Sequence, residues 1–145
     1  MLRRAGGDAQ AQLLQTIPGV GPLLAAVLVA EIGALARFAS RQKLRGYSGL
    51  VARVRRSGER CWSGPLVKRG NPHLRWALVM AAGHFAASRQ TRELTLRGSY
   101  RHHVYKHGPN PAKVALARRL LNIIFALLRY YTVFDPARYA PREAA

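Results

Sequence analysis

The sequence predicts an all-α fold, a compact bundle of about five or six helices around one core, and three observations predict it. Apolar residues recur at helical spacing along its longer segments, and proline stands where several of those segments would begin. Hydrophobic residues make up 49% of 145, enough for a real core in a chain too short for two ordinary domains.

Ala9 to Thr16 has the pattern of a short helix that runs into the tight turn Ile17-Pro18-Gly19-Val20-Gly21-Pro22. Pro22 suits the first position of a second helix, where its missing N–H would have no helical partner anyway. That helix, Leu23 to about Ile32, is apolar nearly all round, which predicts burial, and Gly33 stops it. Ser40 is placed to cap a short basic helix through Arg41, Lys43, Leu44 and Arg45, ending near Gly46 or Gly49. Leu50 to Gly70 is the least periodic stretch and reads as an irregular basic loop or short extended structure. Asn71-Pro72 caps and opens a helix with Leu74, Leu78, Ala81, Ala82 and Phe85 at helical spacing. A further helix covers Arg92 to Lys106, with Gly98 against it and His107-Gly108-Pro109 as its break. Asn110-Pro111 repeats the cap-plus-proline signature and starts the longest helix, to about Tyr131. Its stripe Val114, Ala117, Leu121, Ile124 and Leu128, flanked by Leu116, Leu120, Ile123 and Leu127, is wide enough to need several partner helices. Residues 1–12 read as an N-terminal extension, 13–136 as the domain, and 137–145 as a frayed tail.

Charge narrows the function classes. Lys and Arg number 24 against 6 Asp and Glu, a net +18 that repels itself and that a neutral partner does nothing to relieve. The expected partner is a polyanion, and arginine's planar fork of donors suits bidentate contact with phosphate. A membrane-spanning role is excluded by pattern: the longest apolar runs, Leu23 to Ala30 and Leu120 to Leu128, are too short, and the second holds Asn122. The start, Met1-Leu2-Arg3-Arg4-Ala5-Gly6-Gly7, lacks the apolar stretch of a signal peptide. The single Cys61 excludes an internal disulfide and fits a reducing cytoplasm.

Two motifs carry chemistry. Pro18-Gly19-Val20-Gly21, between two short helices, has the form of a helix-hairpin-helix, whose glycines let backbone approach a phosphate in front of a helix N-terminus. The plainer reading is a tight helix–helix turn. The second motif is Ser57 among Arg53, Arg55, Arg56 and Arg60, with Lys68 following. If Ser57 attacks a phosphodiester, those cations balance the charge that the phosphoryl oxygens gain in the transition state. The plainer reading is a solvated basic loop touching phosphates, since no activating base is adjacent; Glu59 suits an ion pair with Arg56 or Arg60, and Ser63 competes with Ser57. Arg69, Asn71 and Arg75 extend the candidate DNA-binding region.

His103 and His107 stand at i and i+4, near His102, His73 and His84, but no Cys or acid completes a zinc set, so phosphate contact or plain surface is expected. Tyr47, Tyr100, Tyr105, Tyr130 and Tyr131 could stack on bases or, as in a tyrosine recombinase, attack DNA, with packing at helix edges as the expected role for most. The acids, Asp8, Glu31, Glu59, Glu93, Asp135 and Glu143, are scattered singly, so no cluster to hold catalytic magnesium and no metal site is expected in this chain.

One set of segments appears in a familiar order: Leu13-Leu14-Gln15-Thr16-Ile17-Pro18-Gly19-Val20-Gly21, Ala30-Glu31-Ile32-Gly33, Arg37-Phe38, Gly46-Tyr47-Ser48-Gly49-Leu50, Arg56-Ser57-Gly58, Lys68-Arg69-Gly70-Asn71 and Leu74-Arg75. From about Leu13 to Pro136 the chain resembles the C-terminal half of the DEDD transposases of the insertion-sequence one-hundred-and-ten group, with the related eleven-eleven and one-hundred-and-sixteen groups, the bridge-RNA-guided recombinases. The resemblance implies that Ser57 is the nucleophile of a phosphoserine link to DNA. It further implies an N-terminal nuclease-like domain whose four acids hold magnesium, a guide RNA, and assembly into homo-oligomers on DNA in the cytoplasm, at the nucleoid. The chain departs from that pattern by beginning close to the turn at Ile17, which leaves the acidic half outside it. Alone, it is expected not to recombine DNA. Two alternatives stay open: a non-catalytic nucleic-acid-binding fragment of a decayed transposase, and a basic structural protein bound to RNA or DNA.

Overall fold

The computed structural model describes the backbone of residues 2–57, 60–66 and 70–141, and the side chains of residues 8–51 and 70–141. Within them the body is all-helical: α1 (Leu2–Gln15), α2 (Pro22–Ile32), α3 (Arg41–Ser48), α4 (Pro72–Ala87), α5 (Thr95–His107) and α6 (Pro109–Tyr130). The expected basic loop takes the extended option, an antiparallel hairpin of β1 (Ala52–Ser57) and β2 (Arg60–Leu66) set between α3 and α4.

The helix starts follow local chemistry. Pro22 opens α2, and Gly33 closes it at φ +66°. The Ser40 hydroxyl accepts from Lys43 N, and Gly49, left-handed at φ +73°, ends α3. Asn71 caps α4 through two backbone amides, His73 N and Leu74 N. Four boundaries differ from expectation, one of them that of α5, which starts at Thr95 and not at Arg92 and runs to His107. Helix α1 begins at Leu2 instead of Ala9, so most of the presumed extension is helix; Gly6 and Gly7 cost about 1 kcal/mol each in a helix, which made the start look later, yet each added residue still gains a backbone hydrogen bond. Helix α6 begins at Pro109 behind Gly108 and not at Asn110-Pro111; both prolines fit because the first turn's amides have no helical acceptor. The tail is ordered further than a frayed end. Residues Pro136–Tyr139 form a 3-10 turn, Asp135 accepts from Ala137 N, and Tyr139 stacks on buried Phe134 at 5.5 Å.

The core is where α4 and α6 run against each other, closed by the α1–α2 pair on one side and α5 on the other. Leu28, Leu78, Phe85, Leu120, Leu121 and Ile124 are fully buried there. Both apolar stripes predicted on α6 are in this core, which is why one helix touches α1, α3, α4 and α5. Among the described residues, no helix is long and apolar enough to cross a membrane.

Candidate nucleic-acid interface

The hairpin is an arm with a tightly built foot. Its register pairs Val54 with Ser63, Arg55 with Trp62, Arg56 with Cys61 and Ser57 with Arg60, so Ser57 is the last paired residue of β1. Six residues at about 3.3 Å each carry it roughly 20 Å from the foot. At the foot the chain leaves through Gly49-Leu50 and returns through Gly70-Asn71. Gly70 sits at φ +113°, and a Cβ there would lie 2.6 Å from Gly49 N and 2.9 Å from the Tyr47 carbonyl oxygen. Two backbones therefore touch where any side chain would part them. Asn71 N donates to the Tyr47 carbonyl at 2.8 Å. Leu50 is fully buried; its N–H donates to Ser48 Oγ at 3.3 Å, and its carbonyl accepts from Arg118 Nε at 2.7 Å. The outgoing strand is thus pinned to α3 and α6, and the returning strand to α3.

Asn71 binds the foot to the rest of the body. Its Oδ1 caps α4, and its Nδ2 donates to Glu31 Oε2 at 2.6 Å and to the Tyr47 hydroxyl at 3.1 Å. Both acceptor positions and both amide hydrogens are used inside the protein. Asn71, named among the expected DNA-binding residues, is a strut joining α2, α3 and α4. Around it Arg37 caps the end of α2 by donating to the Ile32 carbonyl at 2.5 Å and lies over the rings of Phe38 and Tyr47 at 5.0 and 5.3 Å. Parts of four of the seven segments that carry the family resemblance, Glu31 to Gly33, Arg37-Phe38, Tyr47 to Leu50 and Gly70-Asn71, converge on this foot.

The turn from Thr16 to Gly21 divides its labour. Val20 is buried in the core, and its N–H donates to the Ile17 carbonyl at 3.1 Å, so its side chain packs inward and does not face a ligand. Gly19, at φ +90°, presses on α4: a Cβ would lie 2.5 Å from Phe85 N and 2.7 Å from the His84 carbonyl carbon. Its lack of a side chain serves helix–turn packing. Gly21 is exposed with open space around its Cα, and it forms with Thr16, Pro18, Leu23, His84 and Ser88 the wall of a surface hollow of about 710 Å³. Backbone could approach a phosphate at Gly21 and Pro18.

The remaining expected residues fall in three places. Arg53, Arg55, Arg56 and Ser57 are on β1 and Arg60 on β2, gathered on one arm by backbone; their side chains lie outside the described residues, as do Lys68 and Arg69 entirely. Arg75 is half-buried on α4, one turn past Asn71. The arm's foot meets α4 at its first residue and the Gly19 turn meets it at His84, so the foot and the turn are separated by about 13 residues of helix, roughly 20 Å at 1.5 Å each. That equals about six nucleotide steps of a duplex at 3.4 Å. His103 and His107 stand one turn apart with ring centroids 5.4 Å apart, and no group of three or more metal-ligating side chains forms among the described residues. Glu31 is taken by Asn71.

A family model described as Transposase IS116/IS110/IS902 family matches residues 11–97, more than half of the chain. The chain belongs to this transposase family. Among transposase-family relatives, the Insertion element IS116 44.8 kDa protein of Streptomyces clavuligerus is 31% identical over 134 residues, covering 90% of this chain and 32% of the relative. The transposase for insertion sequence element IS1111A of Coxiella burnetii is 35% identical, over 86% of this chain and 34% of the relative. The transposase for insertion sequence element IS1328 of Yersinia enterocolitica is 29% identical, over 88% and 38%. The chain thus spans about a third of the length of these relatives.

No motif in the sequence marks Arg45 on α3 or Arg118, Arg119 and Asn122 on α6 as site residues. The fold brings these four together. Their signal in the sequence is faint, because positions 118, 119 and 122 share a helix face but nothing local links them to position 45.

Proposed function

We propose that the chain is the DNA-binding, strand-attacking part of a transposase, with Ser57 as nucleophile at the end of the basic arm. The observation that carries the reading is the union of the family match with the backbone placement: Ser57 closes β1 opposite Arg60, beyond Arg53, Arg55 and Arg56, on an arm whose foot is locked to the body. Ser57 Oγ bonds to a phosphorus of the DNA backbone and the bond to the deoxyribose 3′-oxygen breaks. The serine proton passes to solvent, the leaving oxygen collects one, and phosphoserine links protein to strand. The arginines of the arm and Lys68 balance the charge growing on the phosphoryl oxygens. The Pro18 to Gly21 turn and Arg75 hold the duplex by its phosphates without reading sequence. Guide RNA and further copies of the chain complete the assembly, and magnesium belongs to the acidic domain that accompanies this one in the resemblance.

The test is Ser57→Ala in a complete transposase containing this domain. Covalent protein–DNA adducts, trapped by denaturation, fall below detection while DNA affinity stays within about twofold, since one uncharged hydroxyl contributes little to phosphate binding. Adducts at the unsubstituted level would overturn the assignment. Binding without chemistry predicts no adduct from either protein.

A further inference from the structure

Between α3, α5 and α6 lies a second basic site that no motif announced. A pocket of about 620 Å³ opens there, its polar wall formed by Arg45, His102, His103, Arg118, Arg119 and Asn122. Its volume lies in the range of small-ligand pockets. None of the described residues that line it is acidic. Arg45 donates through Nη2 to Asn122 Oδ1 at 3.3 Å, while its Nε is buried with no hydrogen-bond partner. Arg118 is held by its Nε to the Leu50 carbonyl at 2.7 Å, which sets the plane of its guanidinium in the pocket wall. Burial, and then the neighbouring Arg45, push the Arg118 pKa down. Folded proteins ordinarily partner a buried guanidinium with a carboxylate or a full set of carbonyls. Here the charges of Arg45, Arg118 and Arg119 are packed around an open pocket whose described wall holds no acid, an arrangement that an anion would complete. Arginine forks match phosphate oxygens in geometry as well as charge.

We infer that this pocket is a phosphodiester-binding subsite, in which Arg45, Arg118 and Arg119 hold the backbone of a nucleic-acid strand at the foot of the arm. The inference rests on the nucleic-acid reading above and adds to it a contact remote from the Gly19 turn. Arg118 joins the two features physically, because the residue that lines the pocket also anchors the strand leading to Ser57. A strand seated there runs past the point from which the arm projects.

The experiment is fluorescence anisotropy on the full chain with labelled 20-nucleotide single-stranded DNA, duplex DNA and single-stranded RNA, each across a series of NaCl concentrations. Arg119→Ala removes an exposed pocket cation, and Arg45→Gln removes the half-buried one. Arg92→Ala removes an exposed arginine that is not among the pocket-lining residues. The two pocket variants bind at least one of the three probes about three- to tenfold more weakly, with a log–log salt slope shallower by about 0.7 to 0.9 for each lost phosphate contact. Arg92→Ala changes neither by as much. The affected probe shows whether the strand is DNA or RNA, and an effect on any supports the subsite. Melting temperature checks the fold, and if Arg45→Gln is unstable, Arg119→Ala decides. Pocket variants that titrate together with Arg92→Ala would overturn the subsite alone. An unsubstituted chain that binds none of the probes would overturn the nucleic-acid reading with it.

Discussion

Glycine and asparagine in a phosphate-binding pattern invite a ligand reading, yet at this scale the fold claims several of them first. Gly19 is required because a Cβ would collide with α4 backbone, and Asn71 because four hydrogen-bonding positions are needed at one point. The Asn71 case can be separated from simple helix capping. Asp caps a helix N-terminus as well as Asn does, so capping alone predicts that Asn71→Asp is neutral. The Nδ2 donor, however, would become an acceptor facing Glu31 Oε2, now 2.6 Å away. Asn71→Asp is therefore expected to lower stability at pH 7 by about 1–3 kcal/mol, the range for leaving a partly buried acceptor without its donor. Chemical denaturation measures it, and a midpoint equal to that of the unsubstituted chain would show that the link from α4 to Glu31 carries no weight.

At the scale of elements, the arm depends on its foot more than on its own pairing, since an isolated two-stranded hairpin is at best marginally stable in water. Gly70→Ala tests this. The added methyl meets Gly49 backbone at 2.6 Å, in a conformation at φ +113° that alanine rarely adopts, so the two ends of the arm must separate. The expected result is faster tryptic cleavage within residues 52–69 and a loss of about 1–3 kcal/mol in stability; a cleavage rate unchanged from the parent chain would remove the pinch as a support of the arm. Helices were legible in the sequence because caps, prolines and 3.6-residue periodicity are local: Ser40, Pro22 and Asn71-Pro72 named their starts directly. The arm was legible as an irregular loop or short extended structure but not as a paired hairpin, because its alternation of Ala52 and Val54 with Arg53 and Arg55 breaks at Arg56 and its register shifts between Ala52 and Val54. Its foot was invisible. Gly49 and Gly70 are twenty-one positions apart, and the reason each is glycine is the other one. The pocket at Arg45 and Arg118 was hidden for the same cause, a separation of seventy-three positions bridged only by packing.

On the scale of the whole molecule, charge works against the fold, and the nucleic acid proposed as partner would relieve it. Twenty-four cations against six anions repel one another through water, and the Debye length falls from about 30 Å at 0.01 M salt to about 3 Å at 1 M. Added NaCl therefore has opposite effects on the free chain and on its complex. Screening relieves self-repulsion, so the melting temperature of the free chain rises between about 20 mM and 500 mM NaCl. The same salt competes for phosphates and lowers affinity for DNA by orders of magnitude when several contacts are made. A saturating oligonucleotide raises the melting temperature at low salt by mass action, and that increment shrinks as salt rises. The two curves, free and DNA-bound, thus converge from different sides. Calorimetry on both samples over the same salt series checks it. A free chain whose melting temperature is flat or falls with NaCl would mean that the positive charges are already neutralised within the protein, and a phosphate backbone would then lose its claim as the missing partner.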